Sequence, residues 1–307
     1  IVEEEVKISF WKKFKISIFW LEDYKKLVVQ KTNKTISYIV ILMLIFTFFL
    51  TLAITYRFSG TVNKVKQYID QNIETLNFNN GKISITQKEN NVISTDKLFD
   101  GKVIIDTTEN LTNEQINKYE EEIKNYYNGA VILQDKVILK TNMASVLTTI
   151  SVKDIADQLN LVKFEKQDLM NALSGNNVYK IYVAFYIVMF IYLFVVYLST
   201  VLLDAILYSL IGCITGILSN LRIRFRNVYN IAIYSLTLPI ILNLIYMIVN
   251  ILTGYTIKYF DVLYMAITCI YVIAAILIIR SDIIKQQIEL SKIMQEQEKV
   301  RQEMEEK

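Results

Sequence analysis

The 307-residue chain contains no histidine, one proline, eight glycines and two cysteines. Without imidazole, histidine-based catalysis is excluded, and zinc loses its commonest nitrogen ligand. Cys213 and Cys269 both lie inside apolar runs with no ligand-type spacing. They read as small core side chains rather than as a disulfide or redox pair. The scarcity of Pro and Gly, beside abundant Lys, Asn, Ile and Tyr, reads as the product of an AT-rich, low-GC bacterial genome. A net charge of only +3 gives no strongly basic surface, so no nucleic-acid partner is expected. No catalytic or metal-binding constellation stands out. The expectation is therefore a protein that is not an enzyme and carries no cofactor.

What the chain does have is apolar sequence in long runs. Hydrophobic residues make up 53% of it, and most of the excess is gathered into a few stretches, which is the pattern of a membrane protein. Residues 36–56 run 21 residues without a charge. At about 1.5 Å per residue that matches a hydrocarbon core of roughly 30 Å, so a first transmembrane helix is predicted there. Residues 1–35 hold eight lysines against five acids, which by the positive-inside tendency puts this segment in the cytoplasm and residue 57 onward outside. Within it Trp11 and Trp20 alternate with Lys12, Lys13 and Lys15, the composition of an amphipathic helix in the headgroup layer. A short helix packed on the protein's own apolar part is the compatible alternative.

Residues 57–177 read as a water-soluble α+β domain of ordinary composition. A helix is predicted over Thr61–Leu76, and Asn80-Gly81 between two β-prone segments signals a hairpin. Val103–Ile105 reads as a buried strand followed by the polar turn Asp106-Thr107-Thr108. Thr112 opens a capping pattern before a helix reaching about Tyr127. Val131–Leu133 and Val137–Leu139 form a second hairpin, Ser151 caps another helix, and a last one lies near Lys166–Leu173. Two helix-and-hairpin units of this size suffice for one small core.

Residues 178–280 are predicted to form a bundle of three or four transmembrane helices. The stretch 178–220 is about twice a bilayer thickness. Counting it as two spans would leave Arg222, Arg224, Arg226 and the C-terminal tail outside. Letting it cross once and fold back around Asp204, Gly212 and Gly216 would return them to the cytoplasm, as the positive-inside tendency prefers. Residues 281–307 carry Leu290, Ile293, Gln297, Val300 and Met304 at alternating spacings of three and four, a heptad seam suited to a helical partner. A solvated helix with incidental apolar residues fits the same pattern. Asp204 is the one acid inside the predicted apolar runs; it reads either as part of an ion or proton path or as a residue at the cytoplasmic interface. Asn243 and Asn250, seven residues apart, are placed to bond across helices, and Pro239 to kink its own.

Taken together, Asn80-Gly81, Val103 to Thr108, and the trio Tyr234, Thr237 and Pro239 resemble motifs of a Firmicutes family of uncharacterised membrane proteins, some labelled maltodextrin-utilisation protein (MalA-like). The resemblance covers most of residues 10–280 and leaves the heptad tail outside. It implies a non-enzymatic membrane protein linked to carbohydrate uptake and supplies no catalytic residue. The fold expected is thus a polytopic α-helical protein of the bacterial cell membrane, with an inserted extracytoplasmic α+β domain and a C-terminal cytoplasmic helix. Its expected role is to bind other membrane proteins as an accessory or regulatory subunit. A sensor whose outer domain takes a sugar and a transporter subunit are the alternatives.

Overall fold

The computed structural model describes residues 8–87, 92–95, 101–126, 128–140 and 147–305. In chain order come α1 (Phe10–Phe19), a 3-10 turn (Leu21–Asp23), α2 (Tyr24–Val28) and the long α3 (Thr32–Asn72). A sheet-containing region follows: β1 (Ile73–Asn79), β2 (Lys82–Gln87), β3 (Val92–Thr95), β4 (Lys102–Asp106), α4 (Asn113–Lys124), β5 (Gly129–Leu133) and β6 (Lys136–Lys140). It continues through β7 (Thr148–Ser151), α5 (Val152–Leu159), β8 (Lys163–Glu165) and α6 (Lys166–Ala172). Beyond it lie α7 (Gly175–Leu218), α8 (Phe225–Ser235), α9 (Thr237–Thr253) and α10 (Phe260–Glu305). The chain divides into a helical unit, residues 1–54 with 187–307, and a mixed unit, residues 55–186.

In the mixed unit the Asn80-Gly81 hairpin forms as expected, with both residues at positive φ, 48° and 79°, as a two-residue turn between twisted strands requires. It belongs to a three-stranded sheet in the order β2-β1-β8. A second sheet runs β3-β4-β5-β6-β7, with β4 and β5 parallel and the other neighbours antiparallel. The parallel pair is joined across α4, which begins with the capping box Thr112/Gln115. Tyr127, where the sequence put that helix's end, lies outside the described residues; the helix stops at Lys124.

The expected single core is in fact divided by the second sheet. Ile104 joins Val131, Leu133, Ile138 and Ile123 of α4 on one face. Val103 and Ile105 point the other way, to Ile69, Ile73, Leu76 and Ile93. The run Val-Ile-Ile in β4 is buried on both faces, as a central strand covered on each side must be. The helix expected over Thr61–Leu76 is also corrected: α3 ends at Asn72, and Ile73 to Leu76 belong to β1.

Among the described residues, four helices are long and apolar enough to cross a membrane: α3, α7, α8 with α9, and α10. The fold-back expected within 178–220 does not occur. α7 is one unbroken helix of 44 residues, and the chain reverses only after it, at Ser219–Arg224. Gly212 is not a break point but a contact point. A Cβ there would lie 2.5 Å from Val228 Cγ1, 3.0 Å from Ile276 Cδ1 and 3.2 Å from Val272 Cγ1, so the bare backbone lets α8 and α10 close on α7. The core of the helical unit gathers Leu42, Met43, Phe46 and Leu50 of α3 with Val201, Ala205, Ile231, Tyr234, Ile240, Val272 and Ile276.

Candidate functional site

The helical unit encloses a cavity of about 170 Å³ between α3, α7, α9 and the start of α10. Its apolar wall is Met43, Phe46, Val201, Ile240 and Phe260. Its polar wall is Asp204, Thr200 and Tyr197 from α7, Asn243 from α9, and Asp261 and Tyr264 from α10. Phe46 packs on Tyr197 with centroids 5.0 Å apart, and Tyr246 stacks on Phe260 at 4.1 Å, so rings close two sides. The sequence flagged Asp204 and Asn243 separately, and the structure brings both to one cavity. Asp261, Tyr197 and Tyr264 were missed; each is an ordinary residue in its own helix, and only the packing of four helices joins them. Among the described residues, neither Asp204 nor Asn243 has a hydrogen-bond partner in another side chain or the backbone. Two carboxylates, an amide and phenols among rings can hold a proton or a small cation. No group of three or more acids or thiols suited to a metal ion occurs among the described residues.

Asn250 does not share this site. Its amide donates to the Tyr255 carbonyl at 2.9 Å, closing the C-terminus of its own helix rather than bonding across helices. Pro239 sits in the first turn of α9, where a missing N–H costs least. The one-residue interruption between α8 and α9, at Leu236, lies one turn before it, where the ring of a proline crowds the preceding carbonyls.

The trio Tyr234, Thr237 and Pro239 gains a structural meaning here. The Tyr38 hydroxyl bonds Thr237 Oγ1 at 2.9 Å, and the rings of Tyr38 and Tyr234 lie 5.0 Å apart. Asn230 on α8 donates to the carbonyls of Val28 and Gln30, at 3.2 and 2.8 Å, and is fully buried. The N-terminal segment is thereby tied into the bundle. α1 buries Ile16 and Ser17, and Tyr24 of α2 donates to the Ser17 carbonyl at 3.0 Å. The Tyr24 hydroxyl is pushed well above its ordinary value, chiefly by burial.

One face of this segment is open. Trp11 and Trp20 are exposed, 66% and 49%, as are Lys12 and Lys15. Lys13 departs from it: the residue is buried and its Nζ donates to the Lys34 carbonyl at 3.2 Å. Burial, with the Lys34 charge nearby, holds its ammonium below the usual lysine value.

The tail helix is continuous with α10. Leu290 and Ile293 are 60% and 46% exposed, and Gln297 is exposed. The side chains of Val300 and Met304, the remaining seam positions, lie outside the described residues. Where the tail begins, Lys25 and Asp282 form an ion pair at 2.8 Å, and the shared bond raises the Lys25 ammonium above its usual value.

No curated protein and no solved structure matches the chain. Residues 11–276, from Trp11 in α1 to Ile276 in α10, match a protein family. That match includes the cavity and the N-terminal tie and ends before the tail seam. The chain belongs to the family described as Protein of unknown function (DUF1189).

Proposed function

We propose that the chain is a non-enzymatic accessory or regulatory membrane protein that binds a protein partner through its tail helix. Both ends are cytoplasmic in this reading, the four apolar helices each cross the bilayer once, and the mixed unit is extracytoplasmic. The observation that carries it is the unbroken passage of α10 from apolar sequence into an exposed helix. That extension leaves Leu290 and Ile293 on the surface, uncovered among the described residues. Exposed apolar residues at seam spacing on a helix that already has an anchor favour a second helix over water. The link to maltodextrin uptake rests on the resemblance alone.

The test is affinity capture of tagged full-length protein from solubilised membranes, wild type beside L290E/I293E. One defined partner retained by the wild type and lost by the variant is expected. A wild-type chain that always emerges alone and monomeric would refute the reading.

Two other readings each have an observation behind them. An open groove on the mixed unit, lined by Asp70, Glu74, Asn77, Glu165, Lys166 and Asn171, offers the polar groups that sugar hydroxyls use. A sensor would bind there, and maltodextrins would then raise the melting temperature of the full chain. A transporter subunit would use the Asp204 cavity; D204N would then abolish ion or proton flux in reconstituted vesicles.

A further inference from the structure

The reversal between α7 and α8 shapes a second and larger cleft, of about 540 Å³, within the range of roughly 300–1,000 Å³ usual for small-molecule sites. At its base lie Gly212 and Gly216, one turn apart on α7 and both buried, Gly212 against Val228, Val272 and Ile276 and Gly216 beside the Leu221 carbonyl. Its walls are Cys213, Ile217, Ile223 and Phe225. Asn220, at φ 52°, turns the chain out of α7, and the Leu221 amide bonds back to the Gly216 carbonyl at 2.9 Å. That turn brings Arg222 into the cleft lining beside Asn220.

Charge at this corner is unbalanced. Arg222, Arg224 and Arg226 are exposed, and among the described residues no carboxylate or carbonyl pairs with their guanidinium groups. No Asp or Glu occurs between Asp204 and Asp261 to supply a local counter-charge. α8 starts here as well, and its N-cap Arg224 offers no side-chain acceptor, so the first-turn amides of this 11-residue helix are uncapped. Of the apolar lining, Ile217 and Phe225 are exposed, at 74% and 50%.

We propose that this cleft is a binding site for an anionic glycerophospholipid, one acyl chain lying against Ile217, Ile223 and Phe225 and the phosphate held by Arg222 with Arg224 and Arg226 beside it. Each half of such a molecule answers one half of the site. Hydrocarbon covers the apolar side chains of Ile217 and Phe225, which otherwise stand exposed. A phosphate diester matches the planar fork of a guanidinium, and its charge is favoured at an open helix N-terminus. A free phosphate would satisfy the arginines and leave the cleft empty; a zwitterionic lipid would fill the cleft and, with its own cation, leave the arginines poorly matched. The inference rests on the reading that α7 and α8 lie in a bilayer, with their junction at its surface.

The test uses purified full-length protein in a neutral detergent, its melting temperature followed as phosphatidylglycerol, phosphatidylcholine or inorganic phosphate is added. Phosphatidylglycerol is expected to raise the melting temperature in a saturable way, with the other two giving little. R222Q/R224Q/R226Q, which alters exposed groups only, should weaken the apparent affinity about tenfold or more. C213W, which fills the cleft, should abolish the shift while a lipid-free melting transition persists. Equal shifts with both lipids, an equal shift with phosphate alone, or an unchanged response in the arginine variant would overturn the proposal. Alkaline carbonate extraction separates the two levels. A chain that stays in washed membranes yet gives no phosphatidylglycerol-specific shift defeats the lipid site alone, whereas a chain that washes off defeats the membrane reading with it.

Discussion

Two helical glycines with opposite surroundings show how much a single side chain decides. At Gly212 an added Cβ meets Val228 Cγ1 at 2.5 Å, Ile276 Cδ1 at 3.0 Å and Val272 Cγ1 at 3.2 Å, and Val228 is itself buried. The helix-propensity gain of alanine over glycine, at most about 1 kcal/mol, is outweighed by overpacking of typically 1–3 kcal/mol. Gly212→Val is therefore expected to lower the melting temperature of the detergent-solubilised chain. At Gly60, in α3, nothing lies within 4 Å of the same added atom. Gly60→Ala is expected to raise stability by about 0.4–1 kcal/mol, and the opposite signs, read in one denaturation assay, check the argument. Asp106 makes a third case. It is buried, accepting from the Thr108 amide at 3.0 Å, the Thr108 hydroxyl at 2.6 Å and the Tyr119 hydroxyl at 2.8 Å. Burial, then this hydrogen bond to Asp106, pushes the Tyr119 phenol up to about 12. A phenol held protonated in the folded state stabilises fully below its unfolded value near 10, and loses that contribution as pH rises through 10 towards 12. Between pH 9 and 11.5 wild type should thus lose more stability than Tyr119→Phe, whose difference curve isolates this group from the other tyrosines.

At the scale of elements, long apolar runs and short turn motifs were legible in the sequence, and junctions were not. Both hairpins, the Thr112 cap and the Ser151 cap form where their residues indicate, and the apolar run 36–56 lies within α3, which extends beyond it at both ends. The misread helix end has a physical cause. Ile69, Ile73 and Leu76 are spaced four and three apart like one helical face, and all three enter the same core. The second interval arises from a register shift between Ile73 and Thr75, where a bulge in β1 adds a residue and imitates helical spacing. The supposed break in α7 was read from the length of the apolar stretch and the side its arginines should face, with Asp204, Gly212 and Gly216 as its place, but a glycine in an apolar helix can serve close packing as well as a bend, and only its neighbours distinguish the two. The same limit hid the Asp204 cavity, because its members come from four helices whose relative rotation depends on contacts such as that at Gly212. The tail follows from this reasoning as a separable element. From Ile283 to Glu298 its described side chains are exposed, and the ion pair to Lys25 involves only Asp282 at its root. Truncation after Lys285 is therefore expected to leave the melting temperature of the rest unchanged while removing any partner captured through Leu290 and Ile293. A free peptide of residues 286–305 should show little helix by circular dichroism, since helices of this length are marginal in water without packing.

For the molecule as a whole, the number of apolar helices and the distribution of charge bear on each other. In the proposed topology each of the four apolar helices crosses once, and four crossings return the chain to the side on which it started. The lysine-rich segment ahead of α3, the arginines between α7 and α8, and the charged tail after α10 then all fall on one side. That is the distribution the positive-inside tendency favours. A five-span arrangement would need a second turn inside α7, and every residue from Gly175 to Leu218 is helical. The reading has a direct consequence for labelling. In a background of Cys213→Ser and Cys269→Ser, single cysteines at Thr148, Arg224, Tyr255 and Ser291 are treated with a membrane-impermeant maleimide on wall-stripped cells. Thr148→Cys and Tyr255→Cys should react at once, whereas Arg224→Cys and Ser291→Cys should react only after the membrane is opened. Reaction of Ser291→Cys from outside while Arg224→Cys stays protected would mean that α10 does not return the chain to its starting side. The tail and the arginine corner would then face different compartments, and a cytoplasmic partner on the tail would be excluded.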